Sequence, residues 1–185
     1  CAVYTPGSTA GLPLSVLQSF SAPPPAILDD PELLRDHVNA VTTALLGLLG
    51  AGTDPLRSRE HILLATILND AWRQGRDLDL GALIRAVESP PVGRIGVLDI
   101  EAFYPARDRF ELSMSLNNLL ASPGFSAWME GEPLDIAGLL HTPRGKPRVS
   151  IFSIAHLGDS ERMFIVSLLL NQVVSWMRAQ SGTTS

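Results

Sequence analysis

A helix with one apolar stripe can lie on the surface of a domain, whereas a helix that is apolar around its whole circumference has to be covered from several sides. The run Met163–Met177, MFIVSLLLNQVVSWM, is of the second kind. Met163, Phe164, Ile165, Val166, Leu168, Leu169, Leu170, Val173, Val174, Trp176 and Met177 leave only Ser167, Asn171, Gln172 and Ser175 as polar breaks. Full burial of such side chains stabilises by roughly 1.5–3 kcal/mol each, so this helix is predicted to be interior, sandwiched between layers. Asp159 or Ser160 is placed to cap it, and Glu161 complements its dipole. Directly before it, Val149–Ala155 (VSIFSIA) reads as a buried strand. A strand, a tight loop and a wholly apolar helix form the first part of a right-handed parallel crossover. Its next strand is expected after Ser185, which would make residues 1–185 a segment cut within an α/β unit.

Ala2–Thr5, at the other end of the sequence, reads as a second short strand stopped by Pro6 and Gly7. Both strands are apolar without clean alternation, the pattern of strands covered on both faces. Ser8–Ala26, rich in Pro, Ser and Gly and ending in Pro23-Pro24-Pro25, reads as an extended connector lying over the surface.

Helices dominate the middle. Asp30-Pro31-Glu32 starts a helix that runs to about Leu49, with Leu34, Val38, Val41, Leu45 and Leu48 as its buried stripe. Asp54-Pro55 repeats the start signal for a second helix, carrying Ile62, Leu63, Ile67, Leu68 and Trp72 to near Gly75, and a third covers Asp79 to Glu88. IGVLDIEAFYP fits a strand or a helical turn; Pro105 then opens a helix that ends before Pro123-Gly124. Short helical turns are expected over Phe125–Glu130 and Ile136–Leu140. The fold class expected is α/β and helix-rich: a small parallel sheet of two strands with a multi-helix insertion. The division is 1–30 for the first core strand and connector, 31–91 for the helical insertion, and 92–185 for the remaining helices, second strand and long helix.

Charge and composition exclude several functions. A net charge of −5 and a pI of about 5.3 disfavour nucleic-acid contact by this segment alone, leaving Arg144, Lys146 and Arg148 as a local basic patch or a solvated edge. The lone Cys1 rules out an internal disulfide framework, and His37, His61, His141 and His156 show no ligand-like spacing. No secretory signal is visible, and the apolar run near the end is too short and too interrupted to span a membrane, so the chain is expected to be cytoplasmic. Hydrophobic content of 45% against 18% charged implies a surface resting partly on further protein, or simply a compact apolar domain.

No P-loop GxxxxGK[ST], GxSxG, HExxH or paired CxxC occurs. GLLGAG, Gly47–Gly52, follows a helix rather than a strand and reads as a stop signal. The loop after the second strand is the first candidate site, because ligands in open α/β sheets gather beyond the carboxyl ends of strands and helix N-termini favour anions. Its candidate cofactor-binding residues are His156, Asp159 and Arg162; the structural alternatives are a core-bonded histidine, a capping acid and a solvent-facing arginine. Glu101, Tyr104 and Asp108 form a second polar cluster that could gather two carboxylates for acid–base work, with Asp108, Arg107 and Arg109 otherwise a solvated helix start.

VSIFSIAHLGDSERMFIVSLLLNQVVSWMRAQ, together with VYTPGS at the front and DIEAFYPARDRFELSMSLNNLLASPGFSAWMEGEPLDI between them, resembles the middle of bacterial HerA/FtsK-like P-loop ATPases. In that family a strand ending in a TPG-like turn comes after the Walker A half, and a strand, loop and ER-containing helix lead into the Walker B strand. The resemblance implies an internal segment of a parent ATPase, assembled as a hexameric ring, that moves DNA or another polymer with ATP and magnesium. It also implies as partners the remaining ATPase core and further copies of the chain. Neither Walker motif falls within residues 1–185, so no catalytic residue of the family maps onto this sequence and the segment alone is expected to be inactive. The alternatives are a free-standing helical protein–protein interaction module and a small hydrolase using Glu101, Asp108 and His156. In the ATPase-fragment reading the final helix needs cover from the helical block or from a second copy, so self-association, by exchange of terminal elements, is expected; in the interaction-module reading the final helix docks a partner.

Overall fold

The computed structural model describes residues 1–16, 20–50, 56–122 and 124–180. Strands β1 (Ala2–Tyr4) and β6 (Ser150–Phe152) lie side by side and parallel, pairing Ala2 with Ser150, Val3 with Ile151 and Tyr4 with Phe152. The two apolar runs from opposite ends of the sequence therefore form one small parallel sheet, as expected. Both are shorter than read, but Ala2 N–H donating to Val149 O (2.9 Å) and Ser153 N–H donating to Tyr4 O (2.9 Å) continue the ladder beyond the strand limits.

Between them run β2 (Leu14–Ser15), α1 (Pro25–Leu28), α2 (Pro31–Leu48), α3 (Arg59–Arg73), α4 (Leu80–Glu88), a β3–β4 hairpin (Arg94–Ile95, Leu98–Asp99) and α5 (Ile100–Phe103). After these come α6 (Ala106–Ala121), a 3-10 turn (Phe125–Trp128), β5 (Glu132–Pro133) and α7 (Ile136–Leu140), and α8 (Asp159–Ala179) follows β6. The chain is thus helix-rich α/β. Asp30, Asp79 and Asp135 each cap a helix by accepting backbone N–H bonds from its first turn, which is why the starts of α2, α4 and α7 fall where the sequence marks them. The Asp54-Pro55 start signal lies outside the described residues; α3 begins at Arg59, capped by Ser58. The ambiguous IGVLDIEAFYP splits into the second half of the hairpin and α5.

Three expectations are corrected. The connector does not lie over the surface: Leu14, Val16 and Phe20 are buried, and β2 pairs in parallel with β5. Leu14 and Val16 point to the same side of an extended chain, and Trp72 Nε1 donates to Phe20 O (3.0 Å), so these apolar residues anchor a segment whose Pro and Gly content suggested solvent. The β1–β6 ladder is covered on one face only, with Tyr4 and Ala2 buried while Val3, Val149 and Ile151 are exposed. Finally, α8 is not sandwiched. Phe164, Ile165 and Leu168 are buried and Leu169, Val173 and Trp176 half-buried, but Met163, Val166, Leu170, Val174 and Met177 face outward. Its N-cap is Gly158, not Asp159 or Ser160, and the Glu161 carboxylate reaches back to accept the Gly158 N–H (2.8 Å).

One core joins these parts. Tyr4 is fully buried and stacked on Phe152 (centroids 5.4 Å apart), and its hydroxyl donates to Glu132 (2.7 Å). Burial, reinforced by the Glu132 charge, pushes this phenol up to about 12, so it stays protonated as the donor. The turn after β1 packs on the 3-10 turn: Gly7 has φ +68° and a Cβ there would meet the Trp128 indole at 2.7 Å. Trp128 in turn meets Phe164 of α8 edge to face at 5.7 Å. Helix α2 lies along α8, and His37 on α2 packs against Trp72 of α3 (5.2 Å).

Gly7→Ala combines left-handed strain with a clash against a buried ring and is expected to cost about 2–4 kcal/mol in urea unfolding. Burial lowers His37 to about 4, and its Nδ1 has no partner among the described residues. Because the unfolded imidazole takes up a proton that the folded one resists, stability is fully present above pH 6.5. It is lost as pH falls towards 4, by on the order of 3 kcal/mol. His37→Phe should remove that part of the acid limb, read as a smaller difference in unfolding free energy between pH 7 and pH 4.5 than in the parent.

Candidate functional site

The carboxyl ends of β1 and β6 meet in one place, and the loop between β6 and α8 passes over them. His156 Nε2 lies 2.9 Å from the Pro6 carbonyl oxygen and donates to it, pinning this loop to the turn after β1. Arg162 turns back to the same loop, with Nε donating to Ile154 O (3.3 Å) and one terminal nitrogen to Ala155 O (3.1 Å), while its other terminal nitrogen meets Asp159 at 3.4 Å. Asp159 is otherwise solvated as the first residue of α8. The structure therefore gathers His156 from the loop and Asp159 and Arg162 from the first turn of α8, and His156 and Arg162 are spent holding the loop itself. Buried Leu157 anchors it from below.

The second cluster is rearranged relative to its sequence reading. Glu101 turns away from Asp108: its carboxylate accepts from Arg109 (2.7 Å) and from the Ala106 N–H (2.9 Å), and these bonds, Arg109 first, hold it below the usual carboxylate range. Asp108 pairs instead with Arg59 (3.2 Å), whose guanidinium stacks over the Tyr104 ring at 4.8 Å. The Tyr104 hydroxyl donates to Glu60 (3.3 Å), and burial followed by the Glu60 charge raises its pKa above that of an ordinary phenol. Arg59, Glu60, Tyr104 and Asp108, but not Glu101 or Arg109, line a cavity of about 390 Å³ with Glu111, Leu112, Ser115 and Leu49.

Glu101, Asp108 and His156 do not converge, so the hydrolase arrangement is not assembled. Tyr104, held protonated and bonded, is a poor acid at neutral pH, and Arg59 is already engaged by one carboxylate and one ring. Among the described residues no group of His, Cys, Asp or Glu side chains is placed to hold a metal ion. Arg109, in sequence part of a solvated helix start, is buried. It donates to Tyr104 O (2.6 Å) and lies 3.5 Å from Glu88 O, fastening α4, α5 and α6 together. Arg59 and Glu60 gave no sequence signal, because α3 and α6 meet only in the folded chain. Arg148 leaves the local basic patch: it sits over the Tyr4 ring (5.6 Å) and 3.8 Å from Glu132, while Arg144 and Lys146 remain exposed.

No family model, no curated protein and no solved structure matches this chain.

Arg109→Met keeps the apolar stem but takes the guanidinium donor from the Tyr104 carbonyl and leaves Glu101 only the Ala106 N–H. It should cost about 3 kcal/mol in urea unfolding. Glu101→Gln, which removes only the exposed partner, should cost less than Arg109→Met in the same assay.

Proposed function

We propose that this chain is part of the α/β core of a HerA/FtsK-like ring ATPase that couples ATP hydrolysis to movement of DNA or another polymer. The observation that carries the reading is the parallel pairing of β1 with β6, with α8 leaving β6 and the His156–Pro6 bond joining the carboxyl ends of the two strands. That is the arrangement in which α/β enzymes gather ligands at the carboxyl edge of the sheet. The exposed apolar face of Val3, Val149 and Ile151 supports it further, because parallel sheets are ordinarily covered on both sides. On this reading ATP and magnesium are held by Walker residues outside 1–185, and the partners are the remaining ATPase core, other copies of the subunit, and DNA for the assembled machine. The setting is the cytoplasm; among the described residues no helix is long and apolar enough to cross a membrane.

A second reading, a helical module for protein–protein contact, is favoured by the outward apolar row of α8. The two separate in the gene. The ATPase reading expects GxxxxGK[ST] encoded upstream of Cys1 and an apolar strand ending in Asp-Glu encoded shortly after Ser185. The longer protein should hydrolyse ATP, lose that turnover when the P-loop lysine becomes alanine, and leave residues 1–185 alone without activity. A reading frame lacking both motifs, or ATP turnover by residues 1–185 alone, overturns it.

A further inference from the structure

The outward row of α8 has an internal symmetry. Met163, Val166, Leu170, Val174 and Met177 are exposed by 66, 38, 58, 45 and 61% respectively. At about 100° per residue they fall within roughly 80° of one another, forming a straight apolar stripe over four turns opposite the face that buries Phe164, Ile165 and Leu168. Read from either end the stripe is the same, Met, Val, Leu, Val, Met, with steps of three, four, four and three residues.

We propose that this stripe is a homodimer interface in which two copies of α8 pack antiparallel about a two-fold axis through Leu170. Leu170 then meets Leu170 of the second copy, Val166 meets Val174, and Met163 meets Met177. This is the self-complementary patch that an isologous contact requires. The stripe starts beside Asp159, 98% exposed and paired with Arg162 of its own helix (3.4 Å), and ends beside Arg178, 51% exposed and paired with Asp36 (3.4 Å). With these end charges already partnered within the chain, the helix dipoles set the orientation: antiparallel packing opposes them, whereas parallel packing sets like against like. The five side chains offer on the order of 500 Å² per copy, so a pair buries about 1,000 Å², the lower bound for a specific interface. The dimer is accordingly expected to be concentration-dependent. The inference does not rest on the ATPase reading, and a ring built from head-to-tail contacts does not use a two-fold patch.

The test is sedimentation equilibrium of the 185-residue chain from micromolar to several hundred micromolar. The expected result is a monomer–dimer equilibrium reaching twice the 19.9 kDa chain mass. Leu170→Glu should weaken association at least 100-fold with an unchanged circular dichroism spectrum, and mixing it with Leu170→Lys should restore dimers. In a Cys1→Ser background, Leu170→Cys should oxidise to a covalent dimer, and Met163→Cys should cross-link with Met177→Cys but not with itself. A strict monomer, its stripe left for some other protein, overturns the proposal. So does a hexamer, a dimer insensitive to Leu170→Glu, or self-cross-linking of Met163→Cys, which would mark parallel packing.

Discussion

Everything in this fold depends on closing β1 onto β6, residues from the two ends of the sequence, through a ladder only three pairs long. Backbone hydrogen bonds contribute about 1 kcal/mol each net of water, too little for so few to offset the entropy of closing a loop that size. The closure is stabilised by what is attached to the ladder. Tyr4 brings together Phe152 by stacking, Glu132 by a hydrogen bond and Arg148 by a cation–ring contact. One turn further on, Gly7 lets the chain run flat against Trp128, and Trp128 reaches Phe164. The short strands, the β2–β5 pair and α8 are therefore parts of a single packed joint, and contacts of such high sequence separation imply slow folding relative to the helical segments.

What the sequence made legible is what is local. A cap is a side chain bonding backbone two or three residues away, so Asp30 marks the start of α2 without reference to the rest of the chain, and Asp79 and Asp135 cap α4 and α7 in the same local way. Apolar stripes at helical spacing located the interiors of α2 and α3 for the same reason. The two strands of the parallel sheet could be read because they lack alternation, although that pattern overstated their burial: one face of Val3, Val149 and Ile151 meets solvent.

What stayed hidden is what depends on partners far away. Leu14, Val16 and Phe20 sit among prolines, glycines and serines, and only the presence of β5 and Trp72 turns them into core. Arg109 is flanked by Asp108 and Phe110 on an exposed-looking helix start, and its burial follows from the approach of α4 and α5, not from its neighbours in sequence. The polar cluster differs from its sequence pattern for the same reason. Carboxylates close in sequence, Glu101 and Asp108, part company because each has a different arginine to satisfy.

The loop over the carboxyl ends of the strands shows how structure and chemistry are divided in this chain. A loop that binds a ligand with its side chains must leave donors or acceptors unspent. Here His156 is committed to Pro6, Arg162 to the carbonyls of Ile154 and Ala155, and Glu161 to the N–H of Gly158. These bonds make the loop rigid and leave its solvated acid, Asp159, as the least suited to an anionic ligand. With these side chains spent on the chain's own backbone, what the loop contributes is the position of α8 relative to the carboxyl ends of β1 and β6.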